Sequence, residues 1–278
     1  MKLRLWGTRG SLPSAGPETV RYGGNSSCVE VRPRDGGLVV LDAGSGLRRL
    51  GEHVDEVERV DVLLTHLHLD HILGLGFFAP LYRPDVEVHL WGPSSSRYDL
   101  RARLHRYLNP PLFPVRLADL PSRVVLHDVS PGSFELLRMR VTADLVCHPG
   151  LCLGYRLSDE EGTMTYLPDH EPALGRAAFP TEREWTSGTD LSLQADLLIH
   201  DAQYTDEEYG AKAGWGHSTV SHAAAFAQLV QARHLLAFHH DPGRSDDELD
   251  RIWDVSHWSP PPEVRVTAAR EGDTFTVP

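Results

Sequence analysis

The apolar positions of this chain fall into two successive sets of short runs. Residues 1–6 alternate apolar and polar side chains as a half-covered strand does, and residues 28–32 follow as a second strand. Pro33-Arg-Asp-Gly-Gly37 reads as a hairpin turn into a strand at 38–41, after which a helix is expected to begin near Ser45. The run 60–64 has the β-branched, leucine-rich composition of a short buried strand. Residues 72–82 are largely apolar and predict a helix at first, and 86–91 alternate as a strand. Residues 94–108 predict an amphipathic helix capped by serines, with Leu100, Leu104 and Leu108 on one face and a stop at Asn109-Pro-Pro111.

A second set of strands is expected at 124–128, 134–144, 154–157 and 163–167, with turn signals at Pro131-Gly132 and Glu161-Gly162. Residues 173–192 read as a loop with a short helix, 197–199 and 234–238 as strands, and 220–231 as a helix with small and apolar residues at helical spacing. Two sets of strands with helices between them imply an α+β fold, a four-layer αββα sandwich.

At 278 residues the chain can hold one large or two ordinary domains; with no linker, composition break or fixed-period repeat, a single domain over 1–278 is expected. Lysine and arginine number 27 against 39 acidic residues, a net charge of −12. Broad docking on nucleic acid draws its affinity from basic side chains that displace phosphate counterions, so no stable large nucleic-acid partner is expected. The three cysteines, Cys28, Cys147 and Cys152, form no paired framework, which fits a reducing compartment. The amino terminus has no apolar core of a leader peptide, and no window nears the roughly 20 apolar residues of a membrane span. A cytoplasmic protein without a membrane partner is the expectation.

The chemistry concentrates in Thr65-His-Leu-His-Leu-Asp-His71, directly after the strand at 60–64. Four side chains that bind divalent cations stand within six residues, separated only by leucines, and core packing gives no reason for that. His66 and His68 can turn to one side of an extended segment and share an ion, while Asp70 and His71 can reach a second ion beside it.

This heptapeptide resembles the signature of the metallo-β-lactamase-fold hydrolases. The resemblance implies a metallo-β-lactamase fold with two divalent ions, most simply Zn²⁺, with Mn²⁺ or iron as alternatives. It implies that His148, in Cys147-His-Pro-Gly150, completes the first set with His66 and His68. By the same resemblance Asp169 bridges, and His239 joins Asp70 and His71. His240 is the competing choice for the last position, and His170 the neighbour that competes with Asp169. Asp42, in Asp42-Ala-Gly-Ser-Gly46, is expected to brace the metal loop, or to cap the helix that follows.

Two ions roughly 3.5–4 Å apart can share and acidify a water and polarise an electrophile, so hydrolysis is the implied reaction class. Along most of its length the chain resembles the ribonuclease Z-like and cyclic-nucleotide phosphodiesterase branch, from Trp6-Gly-Thr-Arg-Gly-Ser11 and Tyr22-Gly-Gly-Asn-Ser-Ser27 to Gly216-His-Ser-Thr219 and His239-His-Asp-Pro242. In that branch a histidine at the position of His217, paired with an acid at the position of Asp201, donates to the phosphate or the leaving oxygen. Either glycine-rich turn near the amino terminus can contact a phosphate or serve as an ordinary strand-end turn. Arg97, Arg101, Arg103 and Arg106 form a solvated helix face or a substrate lid.

Transfer-RNA nucleases of the branch carry a long arm between the positions of His148 and Asp169. Here that interval is 21 residues, mostly strand and hairpin. The reading is therefore a small phosphodiester such as a cyclic nucleotide. A ribonuclease Z-like endonuclease, a thioester or lactam hydrolase, and a non-catalytic scaffold are the alternatives. Homodimerisation is usual in the branch, and Trp215 can serve such a contact.

Overall fold

The computed structural model describes residues 1–34, 36–54, 56–176, 179–254 and 261–278. Two seven-stranded sheets lie face to face. The first contains β1 (Lys2–Gly7), β2 (Cys28–Arg32), β3 (Val39–Leu41), β4 (Arg59–Leu63), β5 (Glu87–Pro93) and β6 (Arg123–Val129), with β14 (Thr274–Thr276) at its edge beside β1. The second runs from β7 (Gly132–Leu136) through β8 (Met139–Leu145), β9 (Leu153–Ser158), β10 (Thr163–Leu167), β11 (Leu197–Asp201) and β12 (His234–Phe238) to β13 (Arg265–Ala268).

Between the sheets, Leu5, Val29, Val31, Leu41 and Leu63 of the first meet Val141, Tyr155, Tyr166, Ile199 and Phe238 of the second in one core. The opposite face of the first sheet is covered too: Val40, Val60, Val62, Val88 and Leu90 pack with Leu47 and Leu50 of α1 (Gly46–Gly51) and with Leu100 and Leu104 of α3 (Leu100–Leu104). The second sheet is covered by α4 (Thr189–Ser192) and α6 (Val220–Leu229), through Leu191, Ala223, Phe226 and Ala227. Burial on both faces is why these strands read as near-continuous apolar runs. This is the four-layer αββα sandwich. Among the described residues no helix is long and apolar enough to cross a membrane.

Several expected elements differ. The helix expected over 94–108 is five residues long, and Asp99, not a serine, caps it by accepting from the Ala102 N–H. Leu100, Leu104 and Leu108 are nonetheless all buried. The strand expected over 134–144 is a hairpin, because Leu137 and Arg138 take positive φ of 47° and 58° and reverse the chain between β7 and β8. After α2 (Leu69–Ile72) the expected helix over 72–82 breaks into tight helical turns at Leu75–Phe77 and Ala79–Tyr82. Asp35, within the expected first hairpin turn, and residues 177–178, within the expected loop, lie outside the described residues. Unanticipated were α5 (Asp206–Lys212), α7 (Asp246–Ile252), β13 and β14.

Candidate metal centre

Strands β3, β4 and β5 are parallel, with Leu41 level with Leu63 and Leu63 level with Trp91, so the loops that follow β3 and β4 leave the sheet side by side. Asp42 opens the first of them in the left-handed region, φ 59°, which aspartate tolerates better than most residues. Its buried carboxylate accepts from the Thr65 N–H at 2.8 Å and from the Thr65 hydroxyl. It also accepts from His71 Nδ1 at 2.8 Å and the Tyr166 hydroxyl at 3.1 Å. It does not cap the helix: Ser45 stands at that position. By holding His71 Nδ1, Asp42 turns Nε2 of that ring toward Asp169 Oδ1 at 3.0 Å and Asp70 Oδ2 at 3.2 Å.

The second sheet contributes from across the seam. His148, in the loop after β8, holds Nδ1 against the Gly216 carbonyl at 2.9 Å, so Nε2 lies 3.3 Å from His68 Nδ1 and 3.8 Å from Asp169 Oδ2. Asp169, two residues past β10, also lies 3.8 Å from His66 Nε2. His239, the first residue past β12, has Nε2 at 3.2 Å from Asp169 Oδ1 and 3.3 Å from Asp70 Oδ2. Ligand-capable atoms fall into compact sets: His66, His68 and His148; Asp70, His71 and His239; and His66, His71 and Asp169. All seven residues expected to hold metal thus meet in one place.

The donor chemistry of the cluster fits a cation. Among the described residues, His66 Nε2, His71 Nε2 and Asp169 Oδ1 are buried with no hydrogen-bonding partner. Buried polar atoms are rarely left so, and three aimed at one volume mark a space for a ligand. Burial opposes charge on His71, yet Asp169, Asp70 and Asp42 hold it well above the usual imidazole range. Asp169 is kept well below the usual carboxylate range, against burial, by His239, His71 and His66. Carboxylate and imidazole donors packed this closely form a set that a divalent ion would satisfy, taking the place that protons fill without it.

His217 lines the same cleft, which also includes Ser11, Leu67, His68, Leu69, Asp70, Asp169 and His239 and encloses about 440 Å³. Its Nδ1 donates to Asp201 Oδ2 at 2.7 Å and lies 3.9 Å from Asp169 Oδ2; its ring stacks on His239. Burial works against its protonation, but Asp201 and then Asp169 outweigh it and push its pKa up to about 9. His217 also falls within reach of metal-ligand sets with His148 and Asp169, and with Asp201 and His239.

The competing residues lie elsewhere. His240 turns away to donate to the Ala269 carbonyl at 2.9 Å, and burial drops its pKa to about 3. His170 pairs with His200 at 2.9 Å beneath the site, against Phe226. Cys147 belongs to no ligand set among the described residues, and its N–H donates to Ser187 Oγ. Of the glycine-rich turns, the first reaches the cleft through Ser11, whose N–H donates to Asp70 Oδ2 at 2.8 Å; the second braces the metal loop from behind, Ser26 Oγ donating to the Asp70 carbonyl. Two glycines permit close approach: a Cβ on Gly10 would stand 2.2 Å from His239 Nδ1, and one on Gly216 2.2 Å from His148 Nδ1. Arg103 reaches Asp128 and Arg106 stacks on Tyr98, local contacts that suit a solvated face.

Sequence reading missed two supports. Gln203 Oε1 meets His239 Nδ1 at 3.1 Å and so aims that ring. Glu171, 1% exposed, accepts from the N–H groups of Gly214 and Gly216 and from the Tyr209 hydroxyl, fixing the loop that carries both the His148 partner and His217. Their signal was position alone, two residues past Asp201 and Asp169 at strand ends.

Residues 38–240 match the family model described as the beta-lactamase superfamily domain. A ribonuclease Z from Natronomonas pharaonis is 26% identical, the match covering 100% of this chain and 98% of that protein. Among solved structures, the short form of human tRNase Z is 21% identical over the whole of both chains, with a TM-score of 0.69. A diphosphatase from the PhnP family is 20% identical over 100% of this chain and 98% of its own, also at 0.69. At these identities the structural likeness speaks for the fold.

Proposed function

Because this chain belongs to the beta-lactamase superfamily and is a metal-dependent hydrolase of the metallo-β-lactamase fold, we propose that it hydrolyses phosphodiester bonds of a small substrate, a cyclic or linear nucleotide. The observation that carries the reading is the His217–Asp201 pair set in the same cleft as the seven clustered donors. Lactam or thioester hydrolysis has no evident use for a second, protonated imidazole there.

His66, His68 and His148 would hold one divalent ion, Asp70, His71 and His239 a second, with Asp169 shared. Nitrogen and carboxylate donors without thiolate suit zinc, and manganese or iron next. Such ions, when bound, supply Lewis acidity toward water and the phosphoryl oxygens.

The chain's own residues do the rest. Asp42, Gln203 and the Gly216 carbonyl hold the ring N–H of His71, His239 and His148, so each presents its other nitrogen inward. Asp201 accepts from His217 Nδ1, which orients the ring and favours its protonated form, with Nε2 left for the cleft. As the water oxygen bonds to phosphorus and the P–O ester bond breaks, the departing alkoxide takes a proton from His217, and the proton that the water gives up restores His217 for the next turnover. We assign His217 that role in preference to ligation because the seven other donors already make up both ion sets without it, while its ring lines the cleft beside them.

The curated relatives favour a second reading, a ribonuclease Z-like 3′ endonuclease. Against it stand the net charge of −12 and the 21-residue interval from His148 to Asp169, occupied by the β9–β10 hairpin. Cyclic mono- and dinucleotides assayed beside precursor transfer RNA decide between them: turnover of the small substrates is expected, and cleavage of the RNA alone would overturn the proposal. In His217→Gln, kcat/KM for an alkoxide leaving group should fall about 10²–10⁴-fold with metal content unchanged; loss of a bound ion would make His217 a ligand instead.

A further inference from the structure

We propose that Trp215 and Lys212, positioned beside His217 by the buried Tyr204, form a nucleotide-holding subsite on the flank of the cleft, with an aromatic base stacked on Trp215 and an anionic phosphate oxygen on Lys212. The proposal rests on the phosphodiesterase reading and names the part of the substrate that this flank would hold.

The three side chains form a continuous series with His217. Tyr204 stands edge-on to the His217 ring, centroids 5.7 Å apart at 88°. Lys212 Nζ lies 5.8 Å from the Tyr204 ring and 4.2 Å from the Trp215 ring. The backbone holds this series in place. The Tyr204 N–H donates to the Ser218 carbonyl and its own carbonyl accepts from the Val220 N–H, tying it to the segment just past His217. Trp215 sits between Gly214 and Gly216, whose N–H groups both end on the buried Glu171 carboxylate, and its own N–H donates to the Lys212 carbonyl.

A tryptophan so fixed through its backbone, yet 59% exposed, presents a flat apolar face to solvent without packing into the core. Large aromatic surfaces of that kind are what nucleobases stack upon. Lys212 has no carboxylate within ion-pair distance among the described residues, in a chain with 39 acidic groups; its contacts are the two rings. A cation held over aromatic faces remains free to meet an anion at its open side. Lys212 is moreover one of two lysines in the sequence, the other being Lys2, against 25 arginines.

The scarcity of lysine makes the test direct. The 2′,3′-dialdehyde of AMP, added to the metal-loaded protein and fixed with borohydride, should label Lys212 in preference to Lys2 on peptide mapping, and excess AMP should block it. AMP should also inhibit hydrolysis of methyl p-nitrophenyl phosphate more strongly than ribose 5-phosphate does. Trp215→Ala should weaken AMP by about 5- to 150-fold, the range for loss of one base-stacking ring, and ribose 5-phosphate by less. Lys212→Gln should weaken both. Equal labelling of the two lysines, or AMP no better than ribose 5-phosphate, would overturn the subsite. If the wild type turned over methyl p-nitrophenyl phosphate in either case, the phosphodiesterase reading would stand without it. No turnover of any diester would retire that reading, while selective labelling of Lys212 would still report the nucleotide contact.

Discussion

Asp42→Asn isolates how the second sheet-end loop aims its ligand. The substitution keeps the shape, and asparagine also tolerates the positive φ at this position. The amide cannot choose its orientation freely: the Thr65 N–H is a fixed backbone donor on Oδ1, so the amide oxygen must stay there and the NH₂ must take the place of Oδ2. Oδ2 faces His71 Nδ1 at 2.8 Å and the Tyr166 hydroxyl at 3.1 Å. The hydroxyl can rotate and accept, but the ring N–H cannot. Either His71 keeps its Nδ1 proton against an NH₂, a buried unmet donor that costs about 1–3 kcal/mol. Or the ring gives up that proton and carries it on Nε2, which then faces Asp70 and Asp169 as N–H and offers no lone pair, lowering metal affinity about 10–100-fold. Urea unfolding in chelator measures the first and zinc titration the second. A variant with wild-type stability, within about 0.5 kcal/mol, and wild-type zinc affinity would refute the assignment of Asp42 as the brace of His71.

Gly216→Ala should lower both melting temperature and bound metal, because its Cβ would meet His148 Nδ1 at 2.2 Å and the residue takes φ of 93°; metal content equal to wild type would remove the Gly216 carbonyl from the support of His148. Zinc at a thousandfold excess over its dissociation constant should add about 4 kcal/mol to folding, so thermal scans with and without EDTA that coincide would speak against a built metal centre. Far from the site, burial and then Arg265 lower the pKa of His234 to about 4, and the ring contacts Thr267 Oγ1 at 2.9 Å. The unfolded chain therefore takes up this proton first on acidification, and the contribution, complete above about pH 6.5, should fade toward pH 4. Urea midpoints of His234→Gln should fall less steeply over that window than those of wild type; parallel curves would contradict the linkage.

What could be read from the chain followed the physics of each signal. Strands covered on both faces, such as β3, β4 and β12, stand out as dense apolar runs ending at the residues that form the site. The long-range contacts that gather His148, Asp169 and His239 around the histidine-rich loop are invisible to local pattern and came from family resemblance. Edge strands β13 and β14 were also legible, since Arg265-Val-Thr-Ala268 and Thr274-Phe-Thr276 alternate polar and apolar residues, and were passed over because they are only four and three residues long. Helices α5 and α7 were legible and overlooked: Thr205 with Glu208, and Ser245 with Glu248, are both capping boxes written plainly in the sequence. Residues that act by bracing, Gln203 and Glu171 among them, have no signature of composition, because their role depends on where a neighbouring loop ends.

The clustered donors come from both sheets and from positions as far apart as His66 and His239. A growing chain therefore cannot assemble the full set until β12 has been made and the two halves have closed upon each other. Full-strength metal uptake would then separate finished molecules from shortened ones that possess the histidine-rich loop yet lack its counterparts.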